Sequence, residues 1–259
     1  MTWTIEQRDG AVLVSMRSNP VNKMNEAFFD DLHEALDRIE VEHPRKPLVL
    51  TADGSTFSAG LDFEEVFPRF ERANYEEIAR WFARFRGSIL RLFELPRRTV
   101  AAVNGNAYAG GLILALCCDH RIAARTPGRF TLNEVAIGIP MPGVYVEIVR
   151  HTVGTRVATE LMLDCRLYGV EDALTNGFVH SVVPPEELVQ AAISQARAIG
   201  DDAFSAYRVS KAALLAPTLE RIYGPALPFD EAAMRAVMHD DSKRAQATAL
   251  AKLKQHPRK

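Results

Sequence analysis

Residues 99–118, TVAAVNGNAYAGGLILALCC, decide how the chain is read. Thr99 to Asn104 is an apolar run suited to a buried strand, and Gly111 to Cys118 is a helix that would be apolar on every side. A helix of that kind lies inside a protein, not on its surface. Between them, Asn104 to Gly111 is built almost wholly from small residues, three of them glycine. Small residues let another backbone or a ligand approach closely, and a helix starting near Gly110 aims unpaired N–H groups outward.

Working outward, the same alternation recurs. Upstream, Ala11 to Met16 (AVLVSM) reads as a strand closed by the turn-prone Ser18-Asn19-Pro20. From Asn25, Phe28, Leu32, Leu36 and Ile39 recur at helical spacing, and the helix stops before Pro44. Pro47 to Thr51 (PLVLT) is a compact buried strand, and downstream His120 to Ala124 (HRIAA) is another. Strands alternating with helices at this spacing build a layered α/β domain. Trp81, Phe85, Ile89 and Leu92 or Phe93 fit one face of a helix, an ordinary core face first and a ligand wall second. After Pro184-Pro185 the pattern turns helical, with segments over Glu186 to Ile199, Ala203 to Leu215 and Leu219 to Leu253. The expected organisation is a core over 1–200 and a helical region over 201–259 that docks on its own domain or on a second subunit.

Composition bounds the function. With 47% hydrophobic and 25% charged residues over 259 positions, the chain is globular and not disordered. Thirty-one basic against 33 acidic residues imply no bulk attraction to nucleic acid or to an acidic membrane, so an anionic ligand would need a local site. Three cysteines make a poor disulfide framework and suggest a reducing compartment. MTWTIEQRDG lacks a signal-peptide pattern, no apolar run approaches a membrane span, and His256-Pro257-Arg258-Lys259 is not a peroxisomal address of the Ser-Lys-Leu kind. A cytoplasmic location without nucleic-acid or membrane partners is expected. Phosphate-loop, dinucleotide, nucleophile-elbow and zincin motifs are all missing, and the seven histidines have no ligand spacing, so no metal is expected.

Three candidate pieces remain. Thr56 to Asp62 (TFSAGLD) follows a strand end, as Asn104 to Gly111 does, and together two such loops could form an oxyanion hole. Glu134, in Phe130 to Pro140 (FTLNEVAIGIP), is a carboxylate in an apolar stretch; buried without a partner it would suit a general base, otherwise it caps a helix or lies at the surface.

In order along the chain, Arg17-Ser-Asn-Pro-Val-Asn22, Phe57 to Asp62, Asn104 to Gly111, and Arg166 to Val183 with Ala173, Gly177 and FVHSVV resemble the crotonase superfamily, the enoyl-CoA hydratase/isomerase family, over nearly the whole chain. The resemblance implies a spiral of strand-strand-helix units with a C-terminal helical region that packs trimers, sometimes paired into hexamers. It implies an acyl-CoA thioester, with coenzyme A belonging to the substrate and no separate cofactor. The thioester oxygen would lie between the N–H groups of Leu61 and Gly110, and the CoA moiety along Ser58, Ala59, Gly60, Leu61, Asp62 and the N-terminal loop. Hydratases of the family use two glutamates; the positions matching theirs are Ile113 and Glu134, so one carboxylate is present and one absent. GLILAL and LNEVAIGIP look closest to the enoyl-CoA delta-isomerase branch, which moves the double bond of 3-enoyl-CoA to 2-trans-enoyl-CoA in fatty-acid oxidation. The alternatives are hydration or another crotonase reaction, and a non-enzymatic acyl-CoA binding protein.

Overall fold

The computed structural model describes residues 2–255, so the chain's last four residues, including His256, lie outside it. A six-stranded sheet runs in the order β1 (Trp3–Arg8), β2 (Ala11–Met16), β4 (Leu48–Ala52), β7 (Thr99–Val103), β9 (His120–Ala124), β12 (Ser181–Val183). Only β1 is antiparallel to its neighbour; the rest pair in parallel. The β1–β2 hairpin turns at Asp9 and Gly10, both with positive φ (46° and 82°), the conformation that Asp-Gly supplies in a two-residue loop.

β2, β4 and β7 are buried along their whole length because both faces are covered. On one face lies helix α7 (Leu188–Arg197), with Leu188, Ala192, Ile193 and Ala196 packed on Leu13, Val49, Val100 and Ile122. On the other lies the main core, which takes in α1 (Glu26–Glu42), α3 (Tyr75–Phe93), α4 (Gly110–Leu116) and α5 (Gly143–Met162). α4 is buried at every position, as its all-apolar sequence requires. Cys117 and Cys118 just beyond it are free and buried, small core residues as their setting suggested.

A second, four-stranded sheet, β11 (Tyr168–Gly169), β10 (Arg129–Thr131), β8 (Asn106–Tyr108), β5 (Thr56–Ser58), lies beside the first. Its strands are two or three residues long, too short to leave a periodic signal. The pair β3 (Lys23–Met24) and β6 (Gly60–Leu61) joins the N-terminal loop to the first glycine segment. The mixed α/β architecture is the one expected.

The remaining helices complete the walls: α2 (Phe63–Arg72), α6 (Val170–Thr175), α8 (Phe204–Ile222), α9 (Leu227–Ala236) and α10 (Asp240–Gln255). α8 runs about two turns beyond the expected end at Leu215, continuing past Pro217 because Thr218 and Ile222 are buried. Among the described residues no helix is long and apolar enough to cross a membrane, and no group of three metal-ligating side chains occurs.

Candidate active site

The two glycine segments are held edge to edge by hydrogen bonds that shape the backbone. Asn22, itself at φ 50°, donates from Nδ2 to the carbonyls of Asp53 (3.1 Å) and Thr56 (3.0 Å), and Asn104 does the same to Ala52 (3.0 Å) and Gly54 (2.8 Å). The Ser58 hydroxyl donates to the Asn22 carbonyl (2.7 Å) and accepts from the Gly60 N–H (3.2 Å). Ala59 and Asp62 donate to Val21 and Met24, which bracket Leu61 in the β3–β6 pair.

Gly60 has φ 82°, and a Cβ there would stand 2.8 Å from the Ala109 Cβ, 2.9 Å from the Tyr108 carbonyl and 3.3 Å from the Gly110 nitrogen. The two segments are thus in van der Waals contact at the residues that precede Leu61 and Gly110. Ala109 sits at φ 50°, ψ −128°, where a non-glycine residue is strained; its N–H is tied to the Thr131 carbonyl at 2.9 Å and its carbonyl accepts from Leu112 and Ile113. That kink starts α4 at Gly110, whose N–H precedes the first intrahelical bond.

Glu134 follows β10 and precedes a 3-10 turn, Val135–Ile137. Its carbonyl takes the N–H groups of Ile137 (3.1 Å) and Ile139 (2.8 Å), and Gly138 closes the loop in the left-handed region at φ 77°. The carboxylate Oε2 is buried and has no hydrogen-bond partner. Burial raises its pKa to about 7, offset in part by its own backbone N–H. Glu134 stands at the N-cap position of that 3-10 turn but makes no side-chain cap bond, and the residue as a whole is half-buried.

These pieces face one cavity of about 890 Å³, lined by Ala59, Leu61, Ala109, Gly110, Ile113 and Glu134. Of the other expected binding residues, Ser58, Gly60 and Asp62 are not in the lining; Ser58 and Gly60 are buried behind it, and Asp62 caps α2 by accepting from the Glu64 N–H. Ile113, 1% exposed, shares the cavity lining with Glu134 and offers it no polar side-chain atom. The aromatic face of α3 serves both purposes weighed for it: Trp81, Phe82 and Phe85 are core residues and also line the cavity.

Sequence reading missed part of the wall. Val237 and Met234 of the α9 region and Gln246, Ala249 and Leu253 of α10 line the cavity from the same chain. α10 crosses the Glu134 loop: a Cβ on Gly138 would stand 2.7 Å from the Ala245 Cβ, and buried Gln246 donates to the carbonyls of Gly138 (3.3 Å) and Val237 (3.4 Å). Tyr145, also missed, is 3% exposed; its residue lines the cavity while its hydroxyl is buried and has no partner. A tyrosine among valines carries no signal in sequence that its hydroxyl is unpaired.

The fold and this cavity define a class. The sequence profile described as Enoyl-CoA hydratase/isomerase matches residues 6–256, and the chain belongs to that family. It is 33% identical over 188 residues to the human "Enoyl-CoA delta isomerase 1, mitochondrial", covering 71% of this chain and 61% of that protein. A Thermus thermophilus protein named "Putative enoyl-CoA hydratase" is also 33% identical, over 214 residues, covering 82% of this chain and 83% of that one. The crystal structure of human mitochondrial delta3-delta2-enoyl-CoA isomerase superposes with a TM-score of 0.89 at 27% identity, over 100% of both chains. The aligned stretch therefore spans less than two thirds of the human relative's full sequence, and relatives of both reaction names are similar to this chain.

Proposed function

We propose that the protein is an enoyl-CoA isomerase that moves the double bond of a 3-enoyl-CoA to the 2-trans position with Glu134 as its single acid–base group. The observation that carries this reading is a carboxylate with one buried, unpartnered oxygen at Glu134, together with Ile113 at the position that the family resemblance matches to the first glutamate of hydratases. One base suffices for a proton shift, because the same carboxylate returns what it removes. Hydration requires a second group to hold and activate water, and isoleucine does neither.

The thioester oxygen is held by the backbone N–H groups of Leu61 and Gly110. The Glu134 carboxylate takes the proton from the α-carbon, and the electron pair of that C–H bond flows toward the carbonyl, giving a dienolate. Donors already aimed at the oxygen stabilise the charge without reorganising. The protonated Glu134 then delivers its proton to the γ-carbon, the double bond re-forms between the α- and β-carbons, and the carbonyl is restored. Atoms and electrons balance without a cofactor, coenzyme A being part of the substrate. A pKa near 7 suits a group that must accept and then release a proton. The apolar wall of Trp81, Phe82 and Phe85 takes the acyl chain, while Lys252 and Lys254 at the α10 edge of the cavity face the CoA phosphates.

Assembly belongs to the same proposal. Val209, Leu214 and Phe229 in the helical region 201–259 are 64%, 69% and 66% exposed, and a homotrimer or hexamer would cover them.

The test is a spectrophotometric assay on matched 3-enoyl-CoA and 2-enoyl-CoA, wild type beside Glu134→Gln. Turnover of the 3-enoyl substrate should fall about 10²–10⁴-fold in the variant while acyl-CoA binding persists. Retained isomerisation overturns the assignment, hydration of 2-enoyl-CoA by the wild type selects the hydratase reading, and binding without turnover of either selects a non-enzymatic role.

A further inference from the structure

The α2 segment Phe63–Arg72 (FEEVFPRFER) carries Phe63, Val66, Phe67 and Phe70 at the i, i+3, i+4, i+7 spacing of one helix face, and all four line the cavity. The next helix repeats the pattern: Ile78, Trp81, Phe82 and Phe85 of α3 line it at the same spacing. The two faces meet at Phe70 and Trp81, whose rings stand edge-on with centroids 4.9 Å apart. Between the helices Ala73 is extended and Asn74 closes a capping box with Glu77, which fixes how α3 starts.

The charged side of α2 is pinned to β3 and the start of α1. Arg69 pairs with Glu26 (2.5 Å), Glu65 accepts from Asn25 (2.9 Å) and Glu64 pairs with Lys23 (2.7 Å). The helix is thereby held with its phenyl rings toward the cavity, where Phe63 and Phe70 stay only half-buried. Rings that face a cavity forgo the dispersion contacts of a packed core, and an apolar ligand supplies them. Charge is confined to the other end. Apart from Glu134, the charged lining residues among those described are Lys23 of β3, exposed Glu64 in the first turn of α2, and exposed Lys252 and Lys254 in the last turn of α10. Phe70 lies six residues along α2 from Glu64, about 9 Å at 1.5 Å per residue. The cavity therefore has a charged mouth and an aromatic end.

From the oxyanion segment the wall can be followed ring by ring. The Phe85 Cζ lies 3.6 Å from where a Cβ on Gly110 would stand, Phe85 and Trp81 are 5.6 Å apart between centroids, and Phe70 follows Trp81. That wall is about 14 Å long, and an extended chain advancing about 1.2 Å per bond covers it in about a dozen bonds. We propose that the α2 stripe and Trp81 gauge the length of the acyl chain, with Phe70 as the specificity-determining residue at the far end, so that the preferred substrate carries a hydrocarbon chain of about 12 carbons. The proposal rests on the acyl-CoA reading of the site, not on which reaction Glu134 performs. A chain of about six carbons stops short of Phe70 and leaves the α2 rings uncovered.

Calorimetry with saturated acyl-CoA thioesters of 6 to 18 carbons, kept below their micelle concentrations, reads the gauge without turnover. Affinity for wild type should rise about fourfold per added carbon and level off near 12 carbons. Phe70→Ala should weaken the 12-carbon ligand several-fold more than the 8-carbon one and move the levelling-off point outward by about two carbons, because the end of the cavity is lengthened. Phe70→Trp should move that point inward, and it reports on the gauge even where the alanine variant fails to fold. Levelling-off at six carbons or fewer, none up to 18, a point that stays at the wild-type length in a folded variant, or a loss equal at every length each overturns the role given to Phe70. If acyl-CoA binds with an affinity that ignores chain length, this inference falls alone; if no acyl-CoA binds, the functional reading falls with it.

Discussion

Two carboxylates near the same cavity are treated in opposite ways. Asp230 on α9 is 4% exposed and fully employed: one oxygen pairs with Arg86 of α3, the other caps the first turn of α5. Glu134 is enclosed by the loop after β10 with one oxygen unpaired. The first holds three helices in register. The second carries an unpaired buried oxygen, the state that the proposed acid–base role requires. Burial raises the pKa of both, so the shift alone would not have told them apart.

The contrast makes opposite predictions for neutralising each group. Asp230→Ala leaves Arg86 without its partner and Val144 without its cap; stability should drop by about 3 kcal/mol in urea titration. Glu134→Gln should do the reverse at alkaline pH. Its folded pKa of about 7 lies above the ordinary carboxylate value of 4.5, so the folded protein binds the proton more tightly, and stability declines as pH rises through that window. The variant should therefore exceed wild type by up to about 3 kcal/mol at pH 8 and by little at pH 5, read as melting temperature at the two pH values. An equal gain at both would mean that Glu134 is not held with a raised pKa.

A smaller effect sharpens the same point kinetically. Isomerase kcat/KM should rise about tenfold per pH unit below pH 7 and level off above it, because the free enzyme must present a deprotonated Glu134. Smallest is the effect of Gln246→Ala, which removes the donor to Gly138 and Val237. It should cost about 1 kcal/mol in thermal stability and raise KM more than it lowers kcat.

Long or strongly patterned elements were legible in sequence. The α1 stripe, the all-apolar α4 and the β2, β4, β7 and β9 runs each announce themselves by period or by continuous apolarity, and the structure places them within a few residues of expectation. β1 escaped because Trp3 to Arg8 alternates only weakly and its outer end is exposed, even though the Asp9-Gly10 turn marks the hairpin. The second sheet escaped because register and neighbours, not propensity, make strands of two or three residues. For the site, glycine-bearing turns pointed to Thr56 to Asp62 and Asn104 to Gly111 and an apolar setting to Glu134, while Leu61 and Gly110 were singled out only by the family resemblance. Nothing local in α10 indicates that it folds back over residue 138, since that contact depends on tertiary geometry across more than a hundred residues.

The crossing of α10 over the Glu134 loop also orders events during synthesis. Every other lining residue emerges from the ribosome before residues 240–255, so the nascent chain carries its carboxylate beside an open, wetted groove. Water at that stage hydrates Glu134 and holds it near its ordinary acidity. The burial that raises the Glu134 pKa is thus finished by the last segment of the cavity wall to be made, so removing residues 240–255 should return that pKa toward its ordinary range.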